Sequence, residues 1–275
     1  MKRAIAFLSI LVVAAGLAWS KSERVTIMSE GVALDAVIQT PKIKKGQKIP
    51  MVILCHGLTA SKEHPIIEGL ANRLEKIGIA SLRFDFNGHG KSGGDFSAMT
   101  VGKELIDAQN VFDYVKSLSY VDETKIAMAG HSQGGVVTSM FAGTHGNEIR
   151  AIVLFAPAAV LHDYALQGNW AGLATFDPEN LPEKFGLGRF QLGREYLKEA
   201  QSLDIYKTAS GYAGKVCLLQ GKSDEAVPFS YALRFNETWL NNSDVHLLQG
   251  ETHDFTEHLE KALDIATAFF AENVK

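Results

Sequence analysis

Eight short runs of apolar and β-branched residues recur along the chain, and helical patterns fill most of the gaps between them. The runs lie at 24–28, 32–40, 51–55, 79–84, 125–129, 151–155, 215–219 and 245–249. The first two are separated by Ser29-Glu30-Gly31, a tight-turn sequence, and are expected to pair as an antiparallel hairpin. The later runs are almost continuously apolar, as strands are when helices cover both faces of a parallel sheet. Between them, residues 65–78 align Ile67, Leu70, Leu74 and Ile77 on one helical face. Residues 101–118 do the same with Leu105, Ala108, Val111, Phe112 and Val115, and a last amphipathic pattern covers 255–274. Strands and helices alternating in this order predict an α/β fold with a mostly parallel, doubly wound sheet of eight strands.

One segment interrupts the alternation. From Pro157 to Tyr212 there is no clear buried strand, yet the stretch carries Trp170, Phe176, Phe185, Phe190 and Tyr196. Aromatic side chains need something to bury against, and long ordered insertions are commonly lids. The segment therefore reads as a small cap inserted at about 157–212 into a single domain spanning 21–275. Residues 1–20 read as a secretory signal peptide. "MKR" is positive, the apolar stretch after it is shorter than the ~20 residues a spanning helix needs, and Ala18-Trp19-Ser20 precedes the expected cut. A secreted or periplasmic protein without a stable membrane anchor is expected. The formal charge of −4 offers no basic surface for nucleic acid. Cys55 and Cys217 sit in separate apolar runs, so both are expected as buried free thiols rather than a disulfide.

The run at 125–129 leads directly into Gly130-His131-Ser132-Gln133-Gly134, which fits G-x-S-x-G. A buried strand before the motif and a helix-capable stretch after it are the setting of a nucleophile elbow, where small flanking residues allow a turn tight enough to expose the serine. Ser132 is the candidate nucleophile. A hydroxyl needs a base to take its proton, and the expected chain order is serine, then acid, then histidine. His162 lies in the insertion, His246 within a strand pattern and His258 on the last helical pattern. His253 follows the final strand in a short polar loop, where sites form in sheets of this kind, and is the candidate base. Asp224 follows the 215–219 strand and is the candidate acid that fixes the imidazole tautomer, with Glu225 as the fallback.

An acyl-transfer site also needs two hydrogen-bond donors for the oxyanion. The backbone N–H of Gln133 should supply one, and that of Leu58, in the loop after 51–55, the other. His56 reads as a polar residue bonding loop backbone. The glycine-rich loop at 84–97 lacks the spacing of a phosphate loop and reads as structural, with Asp85 bonding backbone amides. No H-x-x-x-H or C-x-x-C spacing occurs, so neither a metal nor another cofactor is expected.

With these residues assembled, the chain resembles the α/β-hydrolases, and within them the bacterial cinnamoyl and feruloyl esterases. The likeness rests on "CHGLTASKEHP", "GIASLRFDFNGHGKSGGDFSAMT", "AGHSQGG", "LFAPAA", "YKTASGYAGKVCLLQGKSDEAVP" and "GETHDF". It implies a serine carboxylic-ester hydrolase acting on small-molecule or oligosaccharide esters of hydroxycinnamic acids from plant cell walls. It maps the triad onto Ser132, Asp224 and His253. It also matches Tyr196 to a cap position that holds the hydroxyl of the acid's ring. Trp170 and Ala171 stand where smaller or more polar residues would be expected, and Trp170 is taken as a second substrate-binding residue. The same triad would serve a short-chain acyl esterase, a lipase-like enzyme or a serine aminopeptidase-like hydrolase. A non-catalytic binding protein on the same fold is a further reading.

Overall fold

Glu30 and Gly31 both adopt positive φ, 46° and 82°, and this tight turn folds β1 (Lys21–Ser29) back on β2 (Val32–Thr40). The computed structural model describes residues 21–240 and 243–275. The proposed leader at 1–20 lies outside the described residues. The chain continues through β3 (Ile49–Cys55), α1 (Pro65–Lys76), β4 (Ala80–Phe84), α2 (Val101–Ser117), β5 (Val121–His131), α3 (Gln133–His145) and β6 (Ala151–Phe155). Between β6 and the next long strand lie α4 (Val160–Gln167), two small hairpins, α5 (Arg194–Ala200) and α6 (Ile205–Ala209). The hairpins pair β7 (Asn169–Trp170) with β8 (Ala174–Thr175), and β9 (Lys184–Leu187) with β10 (Phe190–Gly193). β11 (Lys215–Gly221), α7 (Ser230–Thr238), β12 (Ser243–Leu248) and α8 (Leu259–Asn273) complete the fold.

The eight long strands form one sheet in the order β1-β2-β4-β3-β5-β6-β11-β12, antiparallel at β1–β2 and β2–β4 and parallel elsewhere. The expected α/β fold is therefore present, with every sequence-derived run placed in the sheet. The period of two divides each buried strand between two cores. In β3, Met51, Ile53 and Cys55 face the side covered by α2 and α3, while Val52 and Leu54 face α1 and α8. Cys55 and Cys217 lie on opposite faces, with β5 and β6 between their strands, and both are free. Burial pushes the Cys55 thiol up to about 12, which keeps it protonated and inert.

β3 lies between β4 and β5, so the chain crosses it on leaving β4. This is the point where an open α/β sheet gathers its functional loops at the strand carboxyl ends. Cys55 pairs in register with Gly130, so the loops after β3 and β5 emerge side by side.

Candidate active site

Ser132 stands between β5 and α3 with φ 56° and ψ −121°, a conformation that costs a non-glycine residue ~1–3 kcal/mol. Its neighbours make the turn possible. A Cβ on Gly130 would lie 2.1 Å from the Gly134 carbonyl oxygen, and one on Gly134 would lie 2.3 Å from that of His56. The strain is held by backbone bonds: Ser132 N–H donates to the Phe155 carbonyl at 2.9 Å, and its own carbonyl accepts from Ala158 N–H at 3.0 Å. Thr59, Ala156 and Phe255 also have positive φ, each in a loop at the carboxyl end of a parallel strand. Backbone strain thus gathers on the rim that bears the serine.

His253 and Asp224 reach that rim because two loops are tied together. Lys222 N–H donates to the Leu248 carbonyl and Ser223 N–H to the Glu251 carbonyl, each at 2.9 Å. The buried Glu251 carboxylate then accepts backbone N–H from Thr252, Glu257 and His258 at 2.8, 3.2 and 2.6 Å, wrapping the loop that carries His253. As a result, His253 Nε2 lies 3.0 Å from Ser132 Oγ, and Nδ1 lies 2.9 Å from Asp224 Oδ2. Asp224 Oδ1 accepts the Ala226 and Val227 N–H groups at 3.0 and 2.7 Å, and Oδ2 also accepts from Gln220 Nε2 at 2.7 Å. Glu225 is exposed beside it.

The other histidines are engaged elsewhere. His162 contacts the Ala200 carbonyl at 2.8 Å, and His246 pairs with Asp244 at 2.9 Å on the edge strand β12. His258 precedes α8 rather than lying on it, and faces Glu251 at 3.4 Å. His56 joins two loops, with Nδ1 2.8 Å from the Gly57 carbonyl while Nε2 accepts the Phe86 N–H at 3.1 Å. Burial holds this imidazole well below its ordinary pKa of 6.5, as its acceptor role requires.

Ser132, Leu58, Gln133 and His253 line a cavity of about 540 Å³, walled further by Val160, Tyr164, Trp170, Tyr196 and Val227. Among the described residues, neither Leu58 N–H nor Gln133 N–H donates a hydrogen bond within the protein. Gly57 lets the Leu58 loop approach the serine, since a Cβ there would sit 2.8 Å from Ser132 Cβ. Trp170 and Tyr196 stand with ring centroids 5.6 Å apart in the cavity wall.

Tyr196 differs in one respect from the role implied by resemblance. Its hydroxyl donates to Gln133 Oε1 at 2.6 Å, so a ligand hydroxyl could only donate to it. Gln133 Nε2 continues the chain to Glu104 Oε2 at 2.8 Å. Burial raises the Glu104 carboxyl well above the usual range, and the Gln133 amide only partly opposes this.

Among the buried polar groups that escaped the sequence reading are Glu104, Glu251, Lys62 and the imidazole of His131. Lys62 is ion-paired at 2.6 Å to both Asp35 and Asp85. Asp85 also accepts the N–H groups of Lys62 and Lys91, so it does bond loop amides as expected. His131 Nε2–H donates to the His253 carbonyl at 3.0 Å. The ring of His131 stacks on that of His64 at 4.8 Å and 18°, close to Asp254. Imidazole lone pairs lie in the ring plane, so two stacked rings aim theirs side by side and poorly share an ion.

A family model described as serine aminopeptidase, S33, matches residues 46–176. The structure of Est1E from Butyrivibrio proteoclasticus with ferulic acid bound is similar at TM-score 0.85 and 33% identity, covering 91% of this chain and 99% of that one. The mitochondrial palmitoyl-protein thioesterase ABHD10 of Mus musculus is 25% identical over 234 residues, covering 80% of this chain and 74% of that protein. A 31.7 kDa Escherichia coli protein from the traX-finO intergenic region is 29% identical over 108 residues, and the match spans only 36% of its length. The chain belongs to the α/β-hydrolase family, close to the feruloyl esterases.

Proposed function

We propose that this chain is a serine carboxylic-ester hydrolase that releases hydroxycinnamic acids such as ferulate through an acyl-enzyme. The observation that carries the reading is the continuous Ser132–His253–Asp224 hydrogen-bond chain opening into an apolar cavity. Ser132 Oγ attacks the ester carbonyl carbon as His253 Nε2 takes its proton, and Asp224 holds the resulting imidazolium. The Leu58 and Gln133 N–H groups receive the oxyanion. His253 then protonates the departing alcohol oxygen, the C–O bond breaks, and the acid remains on Ser132. Water enters, loses a proton to His253, attacks the acyl carbon and restores the serine.

The likeness to Est1E, whose structure holds ferulic acid, supports an aromatic acyl group. So does a wall that sets Trp170 and Tyr196 against a flat ring. An aminopeptidase would need a carboxylate for the substrate's α-ammonium, and among the described residues the cavity lining has none. Small-molecule or oligosaccharide esters are the proposed substrates. Residues 1–20 carry the proposal that the enzyme acts in the periplasm or outside the cell, and N-terminal sequencing of the exported protein tests it.

Turnover of methyl ferulate, with loss of several orders of magnitude in Ser132→Ala, is the expected result. Normal turnover by that variant would overturn the catalytic role. A strong kcat/KM preference for a butyrate ester over methyl ferulate would overturn the acyl assignment while leaving the triad in place.

A further inference from the structure

Beside the cavity that holds Ser132 lies a second cleft of about 360 Å³ with a different lining. Ser61, His64, His89 and Glu63 face it, and it shares the wall residues Thr59, Arg189 and Phe190 with the first cavity. The shared wall makes the two spaces neighbours: one mostly apolar and reaching under the cap, the other more polar.

The cleft wall is linked to His253 through ring contacts. His64 stacks on His131 at 4.8 Å, and His131 packs against His253 at 4.9 Å, so the His64 wall lies on the same flank as the proton donor. The alcohol oxygen must sit within reach of His253 Nε2 when the ester bond breaks. An acyl group in the apolar cavity therefore sends the alcohol half toward this cleft.

Charge in the cleft is unbalanced at one residue. Glu63 is neutralised, with Lys91 at 2.8 Å and Lys62 at 3.8 Å. Arg189 has no carboxylate within ion-pair distance among the described residues. Its guanidinium lies over the Phe190 ring at 4.9 Å, and that ring packs on Phe96 at 4.8 Å. The fork is thus oriented at the junction of the two spaces by stacking, exposed and with its donors facing solvent rather than a protein carboxylate.

Resting on the esterase reading, we propose that Arg189 forms an alcohol-side subsite for a carboxylate, so that favoured substrates are esters of acidic alcohols. A guanidinium binds a carboxylate through two parallel N–H bonds, a geometry that a lysine cannot reproduce. The chain as a whole is acidic, with a formal charge of −4, so its long-range field does not gather anions and selection depends on this contact.

The test uses ferulate esters of three alcohols of equal length: 6-hydroxyhexanoic acid, 6-hydroxyhexanamide and 6-aminohexan-1-ol. The readout is the ratio of kcat/KM values among them for each variant, which cancels any general loss of activity. Wild type should favour the carboxylate over the amide by about tenfold and the amide over the ammonium. Arg189→Gln should bring the carboxylate-to-amide ratio near one, Arg189→Lys should keep part of it, and Arg189→Glu should reverse the order. A ratio equal in wild type and Arg189→Gln, or a wild-type ratio at or below one, overturns the proposal. Acetate esters of the same alcohols separate the two readings. If they are hydrolysed while ferulates are not, the acyl assignment fails, and the acetate ratios still decide the role of Arg189.

Discussion

The Tyr196 hydroxyl donates to the side-chain carbonyl of Gln133 at 2.6 Å, and Gln133 is the residue whose backbone N–H is the proposed oxyanion donor. One amide therefore joins α5 to the start of α3, with Glu104 of α2 holding its other end. Tyr196→Phe removes the donor and leaves Gln133 Oε1 buried without it. Losing one partner of such a pair costs about 1–3 kcal/mol, and the stability of the variant should fall by that amount in urea unfolding. kcat should fall more than KM rises, because the displaced residue carries the proposed oxyanion donor. Unchanged stability would show that the bond contributes nothing.

Asp224→Asn should lower kcat by about 10⁴-fold, the loss seen for the equivalent change in Ser-His-Asp enzymes. The reason is local. Oδ1 accepts two backbone N–H groups, from Ala226 and Val227, against one side-chain donor, Gln220 Nε2, on Oδ2, so the new NH₂ is favoured at the Oδ2 position. There it meets His253 Nδ1 as a donor. The imidazole must then carry its proton on Nε2, the atom that has to accept the serine proton. Steady-state kinetics on methyl ferulate with matched folding controls checks it. A loss below tenfold would mean that Asp224 does not set the tautomer.

Three imidazoles make stability fall with acid. Burial lowers His89 from 6.5 to about 4, and holds His56 and His131 well below the ordinary value. The unfolded chain therefore binds more protons than the native one from about pH 6.5 down through about 4, so stability decreases as pH falls across that window. Each histidine contributes a slope of about 1.4 kcal/mol per pH unit. Glu104 and Asp107 work against them: burial raises both carboxyls, so each favours its proton in the native state, a stabilisation lost as pH rises through the folded pKa. Three groups against two leave a net loss on acidification. The urea midpoint should be lower at pH 5 than at pH 7.5, and His89→Gln should shrink the difference. A midpoint that is flat or rises toward pH 5 contradicts this balance.

The sheet and the triad were legible for the same reason. Parallel strands covered on both faces must be apolar throughout, and their loops are short, so strand ends together with the G-x-S-x-G motif and the chain order point to Ser132, Asp224 and His253. The hairpins β7–β8 and β9–β10 have strands of two and four residues, too short for any period to register. The buried polar clusters left no trace because their members are far apart in sequence. Tyr196 and Gln133 are 63 positions apart, and Lys62 and Asp85 are 23 apart. Nothing in a linear pattern distinguishes Lys62 from a solvated lysine; only the fold places two carboxylates against it.

That lysine allows burial to be separated from charge pairing at a single carboxylate. Asp35 pairs with Lys62 and also with Arg24, and the two cations differ sharply: the Lys62 side chain is 2% exposed and that of Arg24 is 63% exposed. Burial opposes the charge on Lys62, but Asp35 and Asp85 outweigh it and keep the ammonium charged. Lys62→Met preserves length while leaving Asp85 buried without its cation, which should cost about 3–5 kcal/mol. Arg24→Gln removes an exposed partner and should cost less than about 1 kcal/mol. Lys62 also lies four residues after Leu58 in the loop that carries the second proposed oxyanion donor, so its loss should depress kcat as well as stability. Equal destabilisation by the two variants in urea unfolding would show that burial does not set the value of these ion pairs.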